Sequence, residues 1–431
     1  MIAARLFLAG PGLGLVAIGL AGARHPSLAD PTWPVAAAFA QGALYFVAAW
    51  WVLGRRMSPL PLVLLVAVLL RLTPLFSPPS LSDDAYRYVW DGRVQAAGIN
   101  PYLHVPATPA LAHLRDAAIY ENVNRRDYAP TIYPPAAQLL FLATTRVSES
   151  ITWMKVTMVA AEALAVALLI TLLRAAGQPP ALVLLYAWHP LPVWEFAGNG
   201  HVDAAAIACM LAAIFARVRG RPGLAGFALG VATLVKLYPL ALLPALWRPR
   251  DFRLPAALLA TVALGYLPYL DARAGVLGFL PGYLREEGLE SGGRFWLVQV
   301  GQALGVRIPA GAYLAAAALF LGALSLWIAL LRRPADDFAG ASLLVATAAV
   351  LAFSPHYAWY AAWLLPLAAL AGSVPVLLFG VLSFVLYFEH AHNRLLVESL
   401  LYVPSGLFAL LWVWMRRSGA RGRVATEITN A

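Results

Sequence analysis

The feature that most constrains this chain is a succession of apolar stretches, each close to the length that crosses a bilayer. A transmembrane helix needs about 20 consecutive apolar residues, and somewhat fewer where neighbouring protein shields it. On that measure candidate helices are expected at 4–22, 34–53, 59–76, 133–147, 151–174, 180–197, 201–218, 222–247, 253–270, 308–331, 339–355, 357–372, 374–390 and 396–415. Short and proline-broken members put the expected count at about 12–14. With 61% of its residues hydrophobic and 12% charged, the chain has too little polar surface for a soluble fold. It reads as an all-α polytopic membrane protein. No internal repeat or low-complexity segment is visible, so one integral domain over 1–431 is expected, with neither a soluble module nor a cleavable signal.

The net charge of +10 raises the question of nucleic acid, but the distribution of the arginines answers it. They collect in short loops and at the tail, as the positive-inside rule requires. No nucleic-acid partner is expected, and the natural surroundings are membrane lipids. With the N-terminus inside, Arg55–Arg56, the stretch 247–253, Arg332–Arg333 and the basic tail 416–431 all face the cytoplasm. Two long polar connections, 77–132 and 271–307, then share the opposite, extracytoplasmic face. The run Arg217–Arg221 conflicts with this orientation, so 133–147 is either a re-entrant half-span or a local exception. Fourteen tryptophans and seventeen tyrosines suit interfacial anchoring. The single cysteine, Cys209, can form no internal disulfide.

A connection of more than 50 residues is well beyond the usual loop length and is commonly functional. The first one carries helix signals of its own. Ser82 suits an N-cap, Asp83 and Asp84 suit the positive end of a helix dipole, and Gly98 before Asn100-Pro101 suits a stop. Between them Asp84, Arg87, Asp91 and Gln95 recur at spacings of three and four, which makes one polar face. Tyr86, Val89, Trp90, Val94 and Ala97 make an apolar side. Such a helix is expected to lie along a membrane surface with its charges toward a cavity. Two adjacent carboxylates raise each other's affinity for a proton, which suits a general base. By spacing alone, a helix cap explains them equally well.

Further polar residues lie within apolar stretches, where they are costly. Lys236 sits too deep in 222–247 to reach an interface easily, and an anion contact is the favoured role. His356, in 353–360, is either interfacial or a donor to a phosphate or sugar oxygen. Glu195, Asn199, His201 and Asp203 bring metal binding to mind, but the spacing is not a ligand pattern. A hydrogen-bond network holding helix ends is expected there. No GxGxxG, P-loop or HExxH pattern supports nucleotide binding or zinc hydrolysis.

Several segments in consistent order resemble the GT-C glycosyltransferases that use polyprenyl-phosphate sugars. They are DAYRYVWDGRVQAAGINPY (Asp84–Tyr102), TIYPP (Thr131–Pro135), WHPLP (Trp188–Pro192), GNGHVD (Gly198–Asp203), KLYP (Lys236–Pro239) and SPHY (Ser354–Tyr357). The nearest likeness is to bacterial membrane mannosyltransferases, and a more distant one is to the eukaryotic first GPI mannosyltransferase. The resemblance implies a GT-C bundle with amphipathic helices in the first extracytoplasmic loop. It implies inverting transfer of a sugar, usually mannose, from a polyprenyl-phosphate donor to a lipid, glycan or protein hydroxyl.

The resemblance places the general base on Asp84, with Asp83 beside it. Several relatives carry Asp-x-Asp where this chain has Ser82-Asp83-Asp84. A divalent cation therefore stays open, and no metal ligand or other cofactor is assigned. A departing lipid phosphate needs cations or donors nearby. Arg87, Lys236 and His356 are the candidates, with Arg93 and Arg294 behind them. Asp91, on the same polar face, is a further candidate to bind substrate, and Tyr133 is a candidate to line the sugar or acceptor. A transporter or flippase of a lipid-linked sugar is the alternative, though such sites commonly lie between repeated halves.

Overall fold

The computed structural model describes residues 2–54, 59–331, 337–389 and 392–429, side chains of 2–6 and 416–429 excepted. Arg55–Arg56, Arg332–Arg333 and the side chains of the basic tail thus lie outside the described residues. Among the described residues all regular structure is helical. The first half contains α1 (Ile2–Gly22), α2 (Thr32–Gly54), α3 (Leu60–Leu75), α4 (Asp84–Ala96), α5 (Pro135–Thr145), α6 (Ile151–Ala175), α7 (Asp203–Val218) and α8 (Pro222–Val235). The second contains α9 (Arg253–Tyr266), α10 (Leu280–Glu286), α11 (Trp296–Ala303), α12 (Ala310–Leu326), α13 (Phe338–Phe353), α14 (Leu364–Ala371), α15 (Val374–Leu382) and α16 (Arg394–Thr429).

Five helical segments are long and apolar enough to cross a membrane: Thr32–Gly54, Ile151–Ala175, Arg253–Glu286, Ala310–Leu331 and Arg394–Met415. Shorter apolar helices, α1, α3, α8 and α13 among them, complete a multi-pass helical bundle. α12 contributes no fully buried residue and touches its neighbours along one side, where Tyr313 donates its hydroxyl to the Ala352 carbonyl at 2.8 Å.

Three expected spans are shorter or broken. The stretch 133–147 yields the 11-residue α5. The stretch 180–197 breaks into short turns at Pro190 and Pro192 and ends in a π-turn, Val193–Gly198. The stretch 222–247 stops at Val235, because Lys236 takes an extended backbone and Pro239 and Pro244 lack the N–H a helix needs. Broken helices at membrane depth are tolerated where protein buries them, and residues 183–217 are buried almost throughout.

The helix expected in the first long loop is α4, and Gly98, at φ +77°, follows its end. Its setting differs from the expected surface position. Arg87, Asp91 and Arg93 are buried along with Tyr88, Val89, Trp90 and Val94. Tyr88, one turn after Asp84, stacks on Phe141 of α5, ring centroids 4.5 Å apart. The polar side is covered by the loop that follows: Asp91 accepts from Arg87 Nε at 2.9 Å, from Gln138 Nε2 at 3.0 Å and from the Thr131 hydroxyl.

The second long connection docks on the first. Phe279 donates its N–H to the Thr131 carbonyl at 3.0 Å, and Tyr269 donates its hydroxyl to Gln95 Oε1 at 2.8 Å. Gly278 permits this approach at φ +55°, since a Cβ there would run into the Thr131 carbonyl.

Candidate active site

The site begins at the N-terminal end of α4. Asp83 is the N-cap residue and Asp84 the first helical one, so the cap lies one position beyond Ser82. The Ser82 hydroxyl still takes part, accepting the Asp84 N–H at 3.2 Å. Both carboxylates line a cavity of about 730 Å³. One side-chain amide holds the pair: Asn124 Nδ2 donates to Asp83 Oδ1 and to Asp84 Oδ1, each at 2.8 Å. Tyr133 donates its hydroxyl to Asp84 Oδ2 at 3.0 Å. Burial first, and then the charge of Asp84, raise the pKa of Asp83 above the ordinary carboxylate value.

Behind the pair lies the predicted hydrogen-bond network. Asn199 Oδ1 accepts the backbone N–H groups of Ser80 and Leu81 at 3.1 and 3.0 Å, which fixes the approach to Asp83. Asn199 also donates to Glu195 Oε2 at 3.3 Å, and Tyr387 donates to Glu195 Oε1 at 2.6 Å. His201 stacks on Trp359, ring centroids 4.2 Å apart. Its Nδ1 stands 3.8 Å from Asp84 Oδ2 and its Nε2 3.4 Å from Glu195 Oε2. Glu195, Asn199, His201 and Asp203 are fully buried, but neither ring nitrogen of His201 makes a hydrogen bond among the described residues, so it joins the group by stacking on Trp359 and not through the network.

The remaining predicted residues divide sharply. Tyr133, Arg87, Lys236 and Arg294 line the cavity with Asp83 and Asp84. Lys236 is committed to Asp203, with Nζ 2.6 Å from Oδ2, so its expected anion partner is a residue of this chain. Asp91, predicted to bind substrate, does not line the cavity, because Arg87, Thr131 and Gln138 engage its carboxylate beneath it. Arg93 also lies away from the cavity: its guanidinium ties α4 to Glu149 at 2.9 Å and Asp116 at 2.7 Å.

His356 lies outside the cavity as well. It sits among Glu287, Glu389 and Glu398, and Arg394 approaches its Nδ1 at 2.9 Å. Sequence reasoning missed Asn124 and Arg125, and it missed the aromatic wall of Tyr283, Tyr357, Trp359, Tyr360 and Trp363. The aromatic run 353–363 was the available signal for that wall.

The two carboxylate groups differ in what they could offer a divalent cation. Mg²⁺ keeps several waters and is commonly held by one or two carboxylates together with substrate phosphates. The cavity offers the carboxylates of Asp83 and Asp84, whose oxygens already accept from Asn124 and Tyr133. Ligand atoms of His356, Glu389 and Glu398 do lie within 4.8 Å of one another. Arg394 occupies that ground, however, with Nε 2.9 Å from Glu389 and 3.4 Å from Glu398.

Neither the curated proteins nor the solved structures yield a match. A family profile described as the alpha-(1->6)-mannopyranosyltransferase N-terminal domain matches residues 16–248, just over half of the chain. That stretch contains Asp83, Asp84, Asn124, Tyr133, the network at 195–203 and Lys236. The chain belongs to the alpha-(1->6)-mannopyranosyltransferase (MptA_B) family of membrane glycosyltransferases.

Proposed function

We propose that this chain is an inverting GT-C glycosyltransferase that moves a sugar, mannose by its family, from a polyprenyl-phosphate donor to a lipid or glycan hydroxyl. In this reading transfer takes place on the extracytoplasmic side, where 77–132 and 271–307 form the site, with the basic tail 416–431 in the cytoplasm. The observation that carries the reading is the Asp83–Asp84 pair, held by the Asn124 amide at one end of an aromatic-walled cavity. A sugar hydroxyl is a weak nucleophile until a base stands within hydrogen-bond reach. Asp84 serves as that base, and Asn124 and Tyr133 keep its carboxylate aimed.

As the acceptor oxygen bonds to the anomeric carbon, its proton passes to Asp84. The bond from that carbon to the phosphate oxygen breaks, and its electron pair leaves with the polyprenyl phosphate. The cavity wall supports a lipid donor, since Leu237, Leu280, Leu284, Val350 and Phe353 give it an apolar side.

The test is to incubate the reconstituted protein with prenyl-phosphomannose and membrane lipid acceptors, and to read the anomeric configuration of the product by NMR. Inversion at the anomeric carbon supports the proposal. Retention would rule out single displacement. Movement of labelled donor across the bilayer with no glycosidic product would favour the transporter alternative.

A further inference from the structure

The cations lining the cavity differ in how far their own protein neighbours already hold them. Arg87 donates Nε to Asp91 at 2.9 Å, one terminal amino group to the Ala129 carbonyl at 3.1 Å and the other to the Asn124 carbonyl at 3.5 Å. Lys236 is held by Asp203, and its side chain is 13% exposed. Arg294 donates Nε to the Phe353 carbonyl at 2.9 Å and a terminal amino group to Glu287, and is 8% exposed. Arg125 is different. Its Nε donates to Glu286 Oε2 at 2.7 Å, and its guanidinium lies over the Tyr283 ring at 5.6 Å and meets the Tyr128 hydroxyl. Among the described residues no main-chain carbonyl holds it, and its side chain is 29% exposed.

Three further observations bear on Arg125. Its backbone takes φ +50°, a conformation that non-glycine residues rarely adopt and that clusters at functional sites. The Ala129 N–H donates to its carbonyl at 3.0 Å, which holds that turn. It directly follows Asn124, the residue that bonds both carboxylates. Its partner Glu286 lies on α10, which also gives Leu280 and Leu284 to the apolar wall. The guanidinium therefore stands where the apolar wall meets the carboxylate end. That border fits a ligand with an anionic head and a hydrocarbon tail.

We infer that Arg125, oriented by Glu286, binds the phosphate of the lipid donor and of the leaving polyprenyl phosphate. This rests on the donor class proposed above. A guanidinium held at Nε presents its remaining N–H groups as a planar fork, which matches phosphate oxygens better than an ammonium does. When the bond from the anomeric carbon to the phosphate oxygen breaks, the charge gained by that oxygen is stabilised by the Arg125 N–H groups. Arg125 gives up no proton, and Glu286 is a positioning residue.

The experiment uses the full chain in detergent, with farnesyl phosphate as the probe and farnesol as the control. Arg125→Gln is expected to weaken farnesyl phosphate binding about tenfold or more while leaving farnesol binding unchanged. Arg125→Lys should recover part of the affinity, and Glu286→Gln should lose less than Arg125→Gln. A folded Arg125→Gln protein with wild-type affinity overturns the assignment while leaving the donor class standing. A wild-type protein that binds farnesyl phosphate no better than farnesol overturns the assignment and the donor class together. Should Arg125→Gln fail to fold, Arg125→Lys and Glu286→Gln decide, since unchanged phosphate affinity in both contradicts the proposal.

Discussion

Two groups of carboxylates share this molecule and live under opposite electrostatic terms. Asp83 and Asp84 face a cavity and are held by the neutral donors Asn124 and Tyr133. Glu287, Glu389 and Glu398 gather around His356 and are met by cations, Arg294 on the first and Arg394 on the other two. Neutral donors orient a carboxylate without cancelling its charge, so it can still take a proton. A guanidinium partner supplies a compensating charge and ties the carboxylate to another segment of the chain. On the proposed function the pair at the end of α4 serves proton transfer, whereas the group around His356 joins segments of the chain.

That contrast can be broken residue by residue. Short of replacing Asp84 itself, the largest effect is expected from Asn124→Ala, which removes the one amide that aims both carboxylates. Transfer should fall about tenfold to hundredfold, the range of a general base that loses its placement. Thermal unfolding should change little, and a wild-type turnover rate would show that Asn124 does not position the base.

Arg394→Met is expected to do the reverse. Stripping the cation from Glu389 and Glu398 should cost about 1–3 kcal/mol of stability, because buried charged groups lose their partner. Turnover per folded molecule should stay near wild type, as measured by unfolding in detergent alongside an activity assay.

The smallest effect is expected from Asp83→Asn. Folding raises the affinity of Asp83 for its proton, so its contribution to stability is present below the ordinary carboxylate pKa. That contribution is lost as pH rises through the raised value. At neutral pH the substitution should therefore leave the melting temperature unchanged or slightly higher, with the gain fading as pH falls toward 4. A lower melting temperature at neutral pH would contradict the sign.

Much of the frame was legible because it depends on local pattern. The apolar runs announced a multi-pass helical protein, and Gly98 marked where α4 stops. Asn199 and Glu195 were read as a network, since polar groups in apolar surroundings must find partners. What escaped depends on residues far apart in the chain. Lys236 looked available for an anion, yet Asp203, 33 residues earlier, already holds it. Arg93 and Asp91 shared a helix with Asp84, yet the loop closing over that helix consumed both. Asn124 lies in a loop with no periodic pattern, so nothing local set it apart from other loop asparagines. Broken spans were expected, but where each one breaks escaped, because hydropathy measures transfer to lipid and says little about where a helix is interrupted.

The central claim is that Asp84 takes the acceptor proton. Its most direct test is transfer of mannose from prenyl-phosphomannose in proteoliposomes containing Asp84→Asn, with correct folding checked by unfolding temperature. The amide keeps the shape but is not a base, so transfer should fall by about 10²–10⁴-fold, with farnesyl phosphate still bound. A folded Asp84→Asn protein that transfers mannose at the wild-type rate would contradict the account.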